Sequence, residues 1–309
     1  MMGDVQKIFT IILNMEFILG YLINGFIVLV NCTDLVKRKK LSSADQILTA
    51  LAISRMGMFW LALLDWWIFV QCPALSITRS IFKMINITWT MISHFSLWFA
   101  TSLSIFYFLK VANFSNSTFL YLKRRVKKVV LLTLLVASVL LFLNIIFVNA
   151  DINVMINAYK GNLSYSSHDA QFSKLLPFTR TILLSFPFIV NLTAFLLLIF
   201  SLMKHLKRMQ SNFRRLGDAS TMAHKKALQI MMASFLLYTI YFLSLLVKVW
   251  NSQLLMKNLT FFLSHTAAHA FHLCHSCVLI WGSSKLRQAC RSVLRWLGYG
   301  SNDVDPLGL

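Results

Sequence analysis

Seven stretches dominated by apolar residues run along the chain, at about 8–30, 46–70, 84–109, 127–149, 175–203, 223–249 and 259–282. Each exceeds the roughly 18–20 residues that carry an α-helix across a hydrocarbon core. The pattern predicts an all-α membrane protein, a seven-transmembrane helix bundle. An odd number of crossings places the termini on opposite sides. The connecting loops are short, which leaves no room for a separate soluble domain. Residues 1–282 are therefore read as one membrane domain and 283–309 as a tail.

Charge supplies the orientation. Among 309 residues, 58% are hydrophobic and 13% charged, well under the charge of a soluble domain. The loops after spans one, three and five, with the tail, hold Lys37–Lys40, Lys110, Lys123–Arg125, Lys127, Lys128, Lys204, Lys207, Arg208, Arg214, Arg215, Lys225, Lys226, Lys285, Arg287, Arg291 and Arg295. The opposite loops hold Lys7, Arg79, Lys83, Lys160, Lys174 and Lys257. Positive charge concentrates on cytoplasmic loops, so the N-terminus is expected outside and the C-terminus in the cytoplasm. This distribution suits topology, anionic membrane lipid and a cytosolic partner better than nucleic acid. The first stretch lacks a small-residue cleavage site and reads as a retained span.

The tail repeats cations beside an apolar stripe: Lys285, Arg287, Arg291 and Arg295 with Leu286, Val293, Leu294, Trp296 and Leu297. That describes an amphipathic helix on the cytosolic membrane surface. In the longest outer loop, Asn162-Leu163-Ser164 is the sequon best placed for glycosylation. Of five cysteines only Cys72 lies near the outer surface, so no extracellular disulfide framework is expected.

Ionisable and amide side chains inside spans are costly and mark packing or function. Asn24 and Arg55 fall near the middles of spans one and two, where bonding between helices would lock the bundle. Trp66, Trp89 and Tyr241 fall toward outer halves. A Trp89–Ser93 stripe on span three and a Tyr241, Leu245, Lys248 stripe on span six could face a shared cavity. Span seven carries His265, His269, His272 and His275; His265, near the outer end, is the candidate ligand contact. Without carboxylates among them, no metal site is expected. No phosphate-binding loop, nucleophile elbow or paired-acid motif occurs, so neither enzyme nor cofactor is expected.

Several strings then converge. They are Glu16 through Asn24-Gly25-Phe26-Ile27, Leu51-Ala52-Ile53-Ser54-Arg55, Phe106 through Ser115, Phe119-Leu120-Tyr121-Leu122-Lys123, Leu198 through Leu202 with His205, and His275-Ser276-Cys277-Val278-Leu279-Ile280 with Lys285-Leu286. In this order, over essentially the whole chain, they resemble the type 2 (bitter) taste receptors. The resemblance implies a plasma-membrane G-protein-coupled receptor for small bitter agonists, signalling through a gustducin-type heterotrimer. It carries ligand contact to Trp66, Trp89, Tyr241 and His265, which the Trp89–Ser93 stripe extends to Ser93, and G-protein contact to Tyr107, Lys110, Lys123 and His205. Asn24, Arg55 and Ser276 take bundle-structural roles, and homo- or hetero-oligomers are compatible with it. Three positions depart from the family pattern: Ser93 where Asn is common, His272 in place of a usual proline region, and Ser283 where Asn is usual. The rival readings are another seven-helix chemoreceptor, of pheromone type, and a small transporter or channel. The latter would show internal symmetry and Gly- or Pro-broken spans, whereas here no repeat appears and Gly and Pro are sparse.

Overall fold

The computed structural model describes residues 2–37, 40–72, 78–112, 114–159, 167–210, 219–250, 259–296 and 298. Among these the chain is entirely helical: α1 Met2–Val36, α2 Ser43–Gln71, α3 Arg79–Val111, α4 Ser117–Arg124, α5 Val126–Tyr159, α6 Ser167–Gln210, α7 Ala219–Trp250, α8 Leu259–Gly282 and α9 Ser284–Trp296.

Six helices are long and apolar enough to cross a bilayer, over Gln6–Val36, Ser43–Ile68, Ser80–Val111, Val126–Ala150, Phe178–Ser201 and Leu228–Val247. α8, where a seventh span is expected, is not among these six; it has 24 residues, about 36 Å at 1.5 Å per residue. Its histidines and a serine, His269, His272, His275 and Ser276, are buried within the bundle. Several helices outrun the apolar stretches. α5 passes the expected end at 149 to reach Tyr159 because no glycine or proline interrupts residues 150–159. Apolarity marks where hydrocarbon ends, whereas a helix stops only where its backbone finds a breaker or a cap.

Local chemistry places two of the starts. At α2, Ser42 accepts a hydrogen bond from the Asp45 amide at 3.1 Å and donates to the Asp45 carboxylate at 2.8 Å. At the unanticipated short helix α4, Asn116 accepts from the Thr118 amide at 2.9 Å. Both satisfy amides that a helix start otherwise leaves unpaired.

The long helices form a ring in which α1 meets α2 and α8, α2 meets α3, α3 meets α5, and α6 and α7 lead on to α8. α3 also touches α4, α6 and α7, and so occupies the middle. α1 shows how sequence directs this packing. Phe9, Leu13, Glu16, Gly20, Asn24, Ile27 and Asn31 recur at steps of three or four, and all are buried. Such a seam faces neighbouring helices along the full length of the bundle. Leu22, Leu29, Leu132 and Phe142 on other faces are exposed, as hydrocarbon-facing positions should be. The largest apolar core lies toward the α9 end, where Ile27, Leu51, Leu103, Phe119, Leu198, Leu279 and Leu286 pack together.

Candidate ligand and signalling sites

At mid-bundle the seam residue Asn24 meets α2 and α8 in a buried polar knot. Arg55 is 1% exposed, and its Nη1 donates to Ser276 Oγ at 2.6 Å. Its Nη2 donates to His275 Nδ1. Because a guanidinium has no acceptor, this bond assigns the neutral His275 proton to Nε2. Ser276 Oγ lies 2.8 Å from Asn24 Oδ1 and 2.9 Å from the His272 carbonyl, two acceptors for one hydroxyl proton. Asn24 Nδ2 donates to the Gly20 carbonyl at 2.7 Å. The Arg55 guanidinium lies 5.9 Å from the Phe271 ring centroid, and no carboxylate pairs with it among the described residues. Hydrogen bonds and an aromatic face thus stand in for a counter-ion, which suits a charge held away from water.

Toward the end opposite α9, the expected ligand-contact residues divide into two groups. Trp66 Nε1 donates to Thr10 Oγ1 at 3.0 Å, and its ring meets Phe9 edge-on at 4.7 Å. Trp89 packs with Trp66 on a small core of Phe9, Leu13 and Ala62, and meets His269 edge-on at 5.5 Å. Tyr241 lies deeper: it is 2% exposed, stacked on Phe271 at 4.5 Å and edge-on to His272 at 5.0 Å. His269 and His272 sit about one turn apart on α8 and relate the two groups. Ser93 Oγ donates to the Trp89 carbonyl at 2.6 Å, so its proton turns back onto its own helix. The neighbouring His94 places Nε2 2.8 Å from the Ala137 carbonyl and ties α3 to α5. Trp67 and Trp250, by contrast, are each just over half exposed, as membrane-facing aromatics are. The side chains of Lys248 and His265 and the sequon Asn162 lie outside the described residues.

At the α9 end, Lys123 Nζ donates to the Ala112 carbonyl at 2.8 Å and sits over the Phe119 ring. Lys110 is exposed at the end of α3, near the Phe106 ring. Tyr107 is partly buried and lines a cavity of about 30 Å³ with Ser104, Asn191, Ser234, Tyr238 and His275. The His205 side chain lies outside the described residues, though its backbone continues α6.

The sequence pattern of the taste receptor protein family (TAS2R) matches residues 1–298. The chain belongs to the bitter taste receptor family. It is 54% identical over 311 residues to taste receptor type 2 member 14 of Gorilla gorilla gorilla, covering 99% of this chain and 98% of that protein. Identity to member 14 of Homo sapiens is 52% over 309 residues, covering 99% and 97%. To taste receptor type 2 member 117 of Rattus norvegicus it is 49% over 303 residues, covering 97% and 95%. The chain is thus a multi-pass G-protein-coupled membrane receptor.

Two departures of this taste receptor from its family pattern have plain structural consequences. Ser283 Oγ accepts from the Leu286 amide at 3.3 Å, capping α9 as an asparagine could. His272 sits inside an unbroken α8, where it packs against Tyr241. Sequence reasoning missed Gly20, His275 as the second Arg55 partner, and Lys285 as a buried-end ligand of acids. The seam spacing on α1 could have found Gly20 and Asn31. The other pairings join residues more than 200 positions apart, and no local pattern marks them.

Proposed function

We propose that the chain is a plasma-membrane receptor for bitter small molecules that activates a gustducin-type heterotrimeric G protein. The observation that carries this reading is the family match over residues 1–298. The N-terminus is extracellular, the α9 end cytosolic, and residues 283–309 a membrane-lying helix and tail. That orientation rests on the concentration of lysine and arginine at the α9 end. Agonists contact Trp66, Trp89, Ser93, Tyr241 and His265; Asn162 carries the glycan. Tyr107, Lys110, Lys123 and His205 face the G protein, while Asn24, Arg55 and Ser276 hold the bundle in register.

Signalling follows from differential affinity. An apolar agonist with one or two polar groups binds beside Trp89 and stabilises the arrangement whose cytosolic face admits the G protein. The contacts from Trp89 to His269, and from Tyr241 through His272 and Phe271 to His275, give a packed route to the Arg55 knot. An agonist shifts the balance only as far as it prefers one state. Aromatic walls with few fixed charges favour broad, weak recognition.

Calcium recordings in cells carrying the receptor and a gustducin-chimeric G protein, over a panel of bitter compounds, test this reading. Responses should require both receptor and G protein. Trp89→Ala should weaken the potency of most agonists by about tenfold, roughly 1.4 kcal/mol, at unchanged surface density. Agonist potencies equal to wild type across the panel would remove Trp89 from the site.

A further inference from the structure

Among the described residues, one cluster of charged side chains at the ends of the spans is unlike the rest. Lys285, the second residue of α9, carries a cation that the charge pattern assigns to lipid or a cytosolic partner. In the structure its half-buried side chain is instead taken up by polar groups at the ends of α1 and α2. Its Nζ lies 2.6 Å from Asp34 Oδ2, donates to Asn31 Oδ1 at 2.7 Å, and lies 3.7 Å from Asp45 Oδ2. Asn31 is fully buried, and its Nδ2 donates to Thr49 Oγ1 at 2.9 Å. One ammonium therefore joins the ends of α1 and α2 to the start of α9.

Three further contacts make the cluster a joint. Leu286, the next residue, is 0% exposed and enters the large core beside Ile27 and Leu279. Ser283 caps the same turn. Asp45 is itself held by Ser42, the cap of α2. Ordering a long lysine side chain costs conformational entropy, so a surface ion pair contributes little alone. Here Asn31 and Asp34 are one turn apart on a helix already fixed by its buried seam, so the lysine orders against preformed acceptors. Of the charged groups of α9 beyond it, Arg287 is half-buried and reaches the Trp281 carbonyl, whereas Arg291 and Arg295 are exposed, able to meet phosphate headgroups or protein.

We propose that Lys285 is a positioning residue for signal transfer: its clasp on Asn31, Asp34 and Asp45 makes α9 and the ends of α1 and α2 one mechanical body. This rests on the reading of the α9 end as the G-protein face. Lys285 touches neither agonist nor the Arg55 knot, so its loss should lower coupling and leave agonist affinity alone. Arginine keeps the charge and can still reach two carboxylates; methionine keeps the stem and loses the clasp.

Two measurements on the full chain test it. In lipid nanodiscs, Lys285→Met should raise amide hydrogen exchange over 284–296 by about tenfold or more, because a helix start released from its anchor opens locally. In cells at matched surface density, its maximal calcium response should fall to roughly a third while half-maximal agonist concentration moves less than about twofold. Lys285→Arg should stay near wild type, and the reversed pair Lys285→Asp with Asp34→Lys should recover much of the lost response. Unchanged exchange in Lys285→Met would overturn the clasp. Raised exchange with an unchanged maximal response would overturn the positioning role, as would failure of the reversed pair beside an intact Lys285→Arg. If Lys285→Met does not reach the surface, Asp34→Asn serves for the same comparison with the same outcomes. A wild-type receptor silent to every agonist would count against the proposed function, while the exchange result still decides the clasp.

Discussion

Ser276→Val should remove nearly all folded receptor from the cell surface. The hydroxyl is 0% exposed and accepts from Arg55 Nη1 while serving Asn24 Oδ1. Valine fills the space and satisfies neither. A hydrogen bond to a charged group contributes about 1.5–3 kcal/mol, and an orphaned buried amide oxygen costs about 1–3 kcal/mol more. Their sum is a large fraction of the roughly 5–15 kcal/mol that holds an ordinary domain together. The guanidinium keeps His275, which limits the loss but leaves a buried cation short of partners. Surface labelling in cells and thermal unfolding of detergent-purified protein measure the effect. Ser276→Thr, which retains the hydroxyl at the cost of one methyl group, should lie much closer to wild type. Equal behaviour of valine and threonine would show that packing, and not the hydrogen bonds, sets the requirement.

Gly20→Leu is expected to act almost as strongly, through a different term. A Cβ built on Gly20 would lie 2.3–2.8 Å from three ring atoms of Phe59, a side chain only 2% exposed. Even alanine must displace that ring, and overpacking of this kind costs about 1–3 kcal/mol. Leucine asks for several times the volume where α1 and α2 approach, and should leave little folded receptor. Phe59→Ala in the leucine background should restore surface expression, since it vacates the space that leucine needs. Phe59 also lies 6.1 Å from His269, which in turn meets Trp89. The surviving Gly20→Ala receptor should therefore show altered agonist potency as well as a lower unfolding temperature. A double-mutant cycle between positions 20 and 59 reads the coupling directly. Additive effects would place the strain elsewhere.

Much of this architecture was legible in the chain, because a bilayer penalises unpaired backbone so heavily that long apolar helices are nearly forced. The same penalty pointed to Asn24 and Arg55, and family strings supplied Ser276. The structure brings these three into one knot. What escaped was pairing across the bundle. Lys285 was grouped with the lipid-facing cations because sequence places charges along a helix but not the acids beyond it. Spacing puts Trp89 and Tyr241 on walls that could face one cavity; it does not show that they meet α8 about a turn apart, at His269 and His272. Side-chain direction depends on where the neighbouring helices stand, which spacing alone does not encode. Nor does spacing reveal that the Ser93 hydroxyl bonds its own backbone at Trp89, as a serine inside a helix readily does.

The proposed receptor must let a ligand at one end of this bundle change what the α9 end does to a G protein. Purified receptor in lipid nanodiscs, mixed with a gustducin-type heterotrimer and labelled GTP, tests it without other cellular components. A bitter agonist active in cells should accelerate nucleotide exchange on the α-subunit, and Trp89→Ala should weaken that acceleration at the same receptor density. Exchange that ignores agonist, alongside agonist-evoked ion flux through the same discs without any G protein, would contradict the account and favour a channel.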